Sequence, residues 1–472
     1  MAYTRRSVVP EKLQYLLGHL PYMLVGVVIV LVFTRLVPPA EFGRFAVSFA
    51  FVNIAGAICF GWLPLALARL GLASGERGGP SWSTLMGGML LPLPVCLLLA
   101  WVMSAAGMLQ ASWVTVLATT GVSAMLAVSQ TSRTLRLPVV YGAIGAARLF
   151  VTIASALMCV QLLGRTAEAL LWAIAFAGFL SALLGAWSLR RVVSENAWVI
   201  PERRPASLRE LLLYGLKASP SLVVVILMLN ADRVLLGSFA SAEEVARYAA
   251  HADLARQMVY PVIGALSVSI LPTALAKLEA NGIEEAHRGV VRDGGFVLWF
   301  TLPLVLAVML VGTDIARLLL PSDYLQGSSV LMPLFACAAF LLGARLVLAD
   351  PIFHLQATPS WIGLSSLVGA IAWLAAFLLL APQWKGVGAG IAGLLGSGVA
   401  LAVALWKLRD WKVNYGACWP IGLAVLTAAV ALVCLQAMSL QADARARVVV
   451  LLVITLGAGS LWLGWGRRRR HA

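Results

Sequence analysis

Apolar runs of about 20 residues recur from one end of the 472-residue chain to the other. A helix of about 20 apolar residues crosses the roughly 30 Å hydrocarbon core of a bilayer, because each residue adds about 1.5 Å. The composition agrees, with 61% hydrophobic residues, 12% charged residues and a mean hydropathy of +0.92. These values exclude an ordinary soluble globular protein. We therefore predict an all-α polytopic membrane protein.

The apolar runs predict about 14 transmembrane helices. They cover residues 13–37, 42–68, 83–106, 112–130, 138–162, 168–189, 211–238, 244–275, 294–318, 328–349, 360–381, 387–406, 419–437 and 447–466. The outer connections between them are too short to hold a domain with its own core. Catalytic membrane proteins that act on sugars normally carry carboxylates or arginines in a sizeable outer loop, so we do not expect an enzyme.

The basic residues predict the orientation of the chain. A net charge of +15 would suggest a nucleic-acid partner in a soluble protein. Here most lysines and arginines flank the apolar runs, so we expect no nucleic acid. With a cytoplasmic amino terminus, 22 of the flanking basic residues lie inside and 8 outside. Cytoplasmic loops carry the excess of Lys and Arg, so both termini are predicted to be cytoplasmic.

Two segments of similar sequence indicate an internal repeat. Glu41-Phe-Gly-Arg44-Phe-Ala opens the second predicted span, and Glu244-Val-Ala-Arg247-Tyr-Ala opens the eighth. The basic segment 190–210 separates the first six spans from the rest. We predict a pseudo-symmetric pair of six-helix halves, at 1–189 and 211–408, joined by this linker. Residues 409–472 add two C-terminal helices and a basic cytoplasmic tail.

Charged residues inside predicted spans are the candidate functional residues. The segment Tyr214–Pro261 carries most of them, and its turn has a capping-box pattern from Ser241 to Glu244. A charge at mid-bilayer costs about 2.5–3.5 kcal/mol on insertion scales, so such residues face a partner or a wet cavity. The candidate substrate-binding cations are Arg233, Arg256, Lys217, Arg148, Arg345, Arg35 and Arg69. The candidate ion-coupling or pairing residues are Asp232, Asp253 and His251.

Two interpretations of these charges stay open. In the first, the cations pair with Asp232, Asp253 or backbone carbonyls and only fix helix packing. In the second, they line a cationic cavity between the halves that holds a diphosphate or an acidic sugar, because guanidinium groups match oxyanions geometrically. No residues have the spacing of metal ligands, so we expect neither a metal nor a cofactor. A coupling ion, sodium or proton, is left open.

Three motifs carry a family resemblance. They are RLVPPAEFG from Arg35 to Gly43, GWLPLALAR from Gly61 to Arg69, and DRVLLG from Asp232 to Gly237 followed by Tyr248. They resemble the polysaccharide flippases, which form the O-antigen and exopolysaccharide branch of the multidrug/oligosaccharidyl-lipid/polysaccharide exporter superfamily. The resemblance implies a bacterial inner-membrane flippase that moves undecaprenyl-diphosphate-linked oligosaccharide to the outer leaflet by alternating access. Its product would feed O-antigen lipopolysaccharide, capsule or exopolysaccharide synthesis.

The resemblance also implies partners and alternatives. The partners are the lipid-linked oligosaccharide, the bilayer, and a polysaccharide polymerase with its chain-length machinery, and the chain itself is expected to be a monomer. A lipid II flippase is the main alternative, since its substrate differs only in the head group. A multidrug or cation antiporter of the same superfamily is less favoured, because spans one to six contain no mid-span Asp or Glu.

Overall fold

The computed structural model describes residues 11–70, 82–109, 112–135, 137–195, 207–267, 269–411 and 413. All regular elements in these ranges are helices, and eleven helical segments are long and apolar enough to cross a membrane. The described part of the chain is therefore an all-helical polytopic membrane protein, as the apolar runs predict. The chain divides into two compact units, Met1–Ala246 and Arg247–Ala472.

The described residues of the first unit form nine helices and the start of a tenth. They are α1 Glu11–Leu36, α2 Pro39–Phe60, α3 Trp62–Leu70, α4 Trp82–Leu90, α5 Leu93–Ala105, α6 Ser112–Thr134, α7 Pro138–Leu163, α8 Ala167–Glu195 and α9 Leu208–Leu236. The tenth helix, α10, runs over Ala242–Ser267, and the first unit ends within it at Ala246. α1 packs on α7, α7 on α8, and α8 on α6. α9 packs on α2 and α3, which also contact α6.

Local sequence explains several helix starts. Proline occupies the first turn of α2 and of α7, where its missing N–H is not needed. Ser207 and Glu210 form a capping box at the start of α9. The capping box predicted for the central turn is also confirmed. Ser241 Oγ accepts from the Glu244 N–H, and Glu244 accepts from the Ser241 N–H at 3.2 Å. This pair begins α10.

The described residues of the second unit form the rest of α10 and five further helices. They are α11 Ile270–Asn281, α12 Ile283–Leu319, α13 Ser328–Leu348, α14 Asp350–Leu355 and α15 Ser360–Leu408. α12 packs on α11 and α13, and α13 packs on α15. Two short 3₁₀ turns, Ser322–Tyr324 and Arg409–Trp411, also belong to this unit.

α15 contains two of the predicted spans, 360–381 and 387–406. Its 49 residues would extend about 73 Å if straight, far more than one bilayer crossing needs. The helix is interrupted at Lys385, which has φ 46° and ψ −123°. A Cβ added to Gly369 would lie 2.7 Å from the Gly396 carbonyl oxygen, so the two arms fold back on each other. Small residues permit this close packing.

The predicted total of fourteen spans is not confirmed. Eleven candidate spans are found in the described residues, with α15 counted as one. The predicted spans 419–437 and 447–466 lie outside the described residues, as does most of the linker at 190–210. The predicted domains 1–189, 190–210, 211–408 and 409–472 rest on a sequence repeat and stay a prediction.

Candidate functional site

Asp232 and Arg233 lie near the end of α9 in the first unit and are buried, with 1% and 3% of their surfaces exposed. The Asp232 carboxylate accepts the Arg233 backbone N–H at 2.9 Å. This contact holds the acid against the helix backbone. Lys217 lies 16 residues earlier on the same helix, about 24 Å away along its axis, and is exposed. The structure therefore does not bring Lys217 to the Asp232–Arg233 pair.

His251, Asp253 and Arg256 lie on α10 in the second unit. His251 is fully buried, and its Nδ1–H donates to the Arg247 carbonyl at 2.7 Å. Its Nε2 atom is buried without a hydrogen-bond partner among the described residues. Arg256 is half-buried, and its guanidinium carbon lies 4.9 Å from the centroid of the Phe335 ring. Arg256 therefore makes a cation–π contact, which is compatible with either interpretation of its charge.

Arg345 makes a buried polar cluster in the second unit. Only 4% of the residue is exposed, and its guanidinium donates to Ser366 Oγ at 2.7 Å. Its Nε lies 3.4 Å from an Asp350 carboxylate oxygen, close enough for an ion pair although poorly aligned for a hydrogen bond. These contacts link α13 to the starts of α14 and α15. They favour a structural role for Arg345.

The other predicted cations lie in the first unit. Arg35 is exposed in the last turn of α1, where it donates to the Leu31 carbonyl at 2.7 Å. Arg148 is half-buried on α7, within electrostatic range of the Tyr22 hydroxyl. Arg69 lies on α3. The structure thus spreads the predicted residues over several helices, and Arg148 lies near Tyr22, which lines the cavity described next.

A cavity of about 370 Å³ lies within the first unit, in the size range of small-molecule sites. Residues from α1, α2, α3, α6, α7 and α9 line it. The polar residues that line it, which we call the polar wall, are His19, Tyr22, Asn53, Ser123, Ser129, Gln130, Arg133 and Tyr141. Apolar residues line it as well, among them Phe60, Pro64, Leu126, Leu222 and Ile226. We call this space the α1–α6–α7 cavity.

Three nearly parallel rings form the centre of the polar wall. The centroids of Tyr22 and Tyr141 are 4.7 Å apart, and the His19 ring lies 6.0 Å and 6.2 Å from them. His19 Nδ1 and the Tyr141 hydroxyl are hydrogen-bonded at 2.7 Å. The Tyr22 hydroxyl bonds Ser129 Oγ at 2.6 Å. These contacts hold α1, α6 and α7 together at the cavity wall.

Other groups of the polar wall keep hydrogen-bonding capacity. Within the described residues, the side chains of Ser123 and Gln130 make no hydrogen bond, and His19 uses only Nδ1. Arg133 is exposed and lines the same cavity, with its guanidinium carbon 5.7 Å from the Tyr141 centroid. The wall can therefore donate several hydrogen bonds and one positive charge to a molecule in the cavity.

Sequence reasoning missed this cavity. Arg133 is one of the 22 basic residues predicted to lie on the cytoplasmic side, and the motifs give no role to His19, Tyr22 or Tyr141. A signal was present, since Arg133 lies three residues after Gln130 and four after Ser129, spacings that make side chains neighbours on a helix. What no spacing could reveal is that Tyr22 and Tyr141, 119 positions apart, meet where α1 packs on α7.

A second cavity, of about 600 Å³, lies at the other end of the first unit's spans. Glu41 and Arg44, which belong to the repeated motif, line it and pair with each other. Glu41 also accepts the Ala167 N–H at 2.8 Å, so it caps the first turn of α8. Glu41 is thus committed to holding α2 against α8.

The fold is that of a known class of membrane transporters. A structure of the lipid II flippase MurJ, in an inward closed conformation, matches with a TM-score of 0.62, 12% identity and 98% of each chain covered. A MATE multidrug transporter, DinF-BH in complex with R6G, matches with a TM-score of 0.54 and 15% identity. That match covers 86% of this chain and 95% of the other. A Vibrio cholerae MATE transporter, VcmN in the bent form, matches with a TM-score of 0.51, 12% identity and coverage of 85% and 95%.

These similarities show the fold that the MATE and MurJ transporters share, and the chain is a multi-pass membrane protein. The pattern of the polysaccharide biosynthesis protein family matches residues 12–276, more than half of the sequence. The chain belongs to this family, and it is a membrane transporter, not an enzyme. The resemblance seen in the sequence motifs is therefore confirmed. No curated protein sequence matches the chain.

Proposed function

We propose that the protein flips undecaprenyl-diphosphate-linked oligosaccharide across the bacterial inner membrane for cell-surface polysaccharide synthesis. The observation that carries the proposal is the match to the polysaccharide biosynthesis family over residues 12–276. The exporter fold supports it, because lipid-linked sugars made in the cytoplasm need a carrier for their polar head groups. The product would be O-antigen lipopolysaccharide, capsule or exopolysaccharide.

The proposed mechanism is alternating access. Two compact units, Met1–Ala246 and Arg247–Ala472, are the kind of bodies that such a mechanism reorients. In this proposal both termini are cytoplasmic, the chain works as a monomer, and a polymerase with chain-length machinery uses the product. Sodium or protons would drive it, and the buried His251 imidazole is a candidate proton site. Arg233 and Arg256 stay candidates for binding the diphosphate.

A lipid II flippase is the second candidate function. The observation that favours it is the similarity to the lipid II flippase MurJ, which covers 98% of each chain. Both substrates share an undecaprenyl diphosphate, so the two functions differ in the head group that the protein must accept.

Deleting the gene from its host tests the proposal. We expect lipid-linked oligosaccharide to be completed but to accumulate on the inner leaflet, with surface polymer lost and restored by a plasmid copy. Accumulation of lipid II instead, with arrested cell-wall growth, would favour the second candidate. Failure to complete the lipid-linked unit at all would contradict both transport functions.

A further inference from the structure

The polar wall of the α1–α6–α7 cavity lies toward one end of three spans. His19 is eight residues after the start of α1 at Glu11, Arg133 is one residue from the end of Trp113–Thr134, and Tyr141 is three residues into Pro138–Leu163. The positive-inside rule predicts that this end is cytoplasmic. A lipid-linked sugar assembled in the cytoplasm would meet this end of the protein first.

We propose that this cavity is the loading site for the sugar next to an oxyanion of the lipid-linked substrate, which deepens the proposed function and rests on it. A sugar presents hydroxyl groups at its edge and C–H groups on its face. The free hydrogen-bonding groups of Ser123, Gln130 and His19 suit the hydroxyls, and the apolar lining residues, such as Phe60 and Leu126, suit the C–H face. A sugar ring, with its polar edge and apolar face, thus fits a cavity that has both polar and apolar lining residues.

Arg133 supplies the charge for the oxyanion. Its planar guanidinium can bond two oxygens of a phosphate or carboxylate at once. It stands beside Tyr141, whose contacts with Tyr22 and His19 hold the wall in place. The oxyanion is either the diphosphate of the carrier lipid or the carboxylate of an acidic sugar, and the two sources share the same recognition chemistry.

Binding to the purified full-length protein tests this assignment. Three probes separate the sources of the oxyanion: undecaprenyl diphosphate, undecaprenyl-diphosphate-linked neutral disaccharide, and the same disaccharide ending in a uronate. The variants are Gln130→Ala and Arg133→Gln. The matched controls are Gln161→Ala on α7 and Arg191→Gln on α8, both at exposed positions.

We expect Gln130→Ala to weaken binding of both saccharide probes about tenfold, or about 1.4 kcal/mol, and to leave undecaprenyl diphosphate unchanged. Arg133→Gln should weaken all three probes if the diphosphate is the oxyanion, and only the uronate probe if the sugar supplies it. The controls should bind like the wild type. Both of these outcomes for Arg133→Gln support the loading site, provided that Gln130→Ala also weakens binding of the saccharide probes.

Failure of the loading site and failure of the proposed function give different binding results. If the wild type binds the saccharide probes and both cavity variants bind them equally well, the loading site is wrong while the proposed function stands. If the wild type binds none of the three probes, the proposed function fails and the loading site fails with it.

Discussion

At the scale of single residues, the structure separates charges that the sequence placed in one group. Arg345 has a buried acid and a hydroxyl as partners, whereas Arg256 lies over an aromatic ring and is only half-buried. Lys217 and Arg35 are exposed, and Arg35 lies near a span end, from which a long side chain can extend toward the membrane surface. Burial and partners, which spacing cannot show, therefore decide which interpretation each cation supports.

The Arg345–Asp350 pair should be structural. Replacing Arg345 by Met leaves the Asp350 carboxylate buried without its cation, a loss of about 3–5 kcal/mol by analogy with buried pairs in soluble proteins. We expect Arg345→Met to lower the melting temperature of the detergent-purified protein markedly. The double variant Arg345→Met/Asp350→Leu should recover most of the loss.

The matched control is Arg288→Met. Arg288 pairs with Glu285 at 3.2 Å, but 70% of its side chain is exposed, and such surface pairs contribute about 0–1 kcal/mol. Equal melting temperatures for Arg345→Met and Arg288→Met would show that the buried pair is not structural.

At the scale of helices, apolar length predicts most of the spans but not their interruptions. The predicted span 42–68 is broken at Gly61 into α2 and α3, and 83–106 is broken near Pro92 into α4 and α5. The predicted spans 360–381 and 387–406 correspond to the two arms of α15, which is interrupted between them at Lys385. Hydropathy reports how much apolar length is available, whereas a break depends on local backbone geometry and on the neighbouring helix.

Close packing of α6 on α8 depends on glycine. A Cβ at Gly178 would lie 2.4 Å from the Gly121 carbonyl carbon, which is part of the backbone and cannot move aside. Gly178→Ala should therefore cost about 1–3 kcal/mol through overpacking and lower the melting temperature. Gly393→Ala is the control, because nothing lies within 4 Å of its added Cβ. A Gly178→Ala protein as stable as Gly393→Ala would contradict this packing.

At the scale of the whole molecule, composition and motifs are sufficient to predict the class and the family. The charges of the central segment suggested where a substrate binds, and that suggestion stays a prediction. The α1–α6–α7 cavity could not be predicted, because its groups belong to helices far apart in sequence. Near span ends, residues such as His19 and Arg133 look like ordinary interfacial residues. Only the packing of α1 on α7 turns them into one wall.

Transport of the lipid-linked sugar by the purified protein tests the central claim most directly. Fluorescent undecaprenyl-diphosphate-linked oligosaccharide is placed in the inner leaflet of vesicles that contain the protein, and an impermeant glycosidase is added outside. We predict cleavage of the oligosaccharide at a rate that rises with the amount of protein, while lipid II in matched vesicles stays inside. Protection of the oligosaccharide together with outward movement of lipid II would contradict the account.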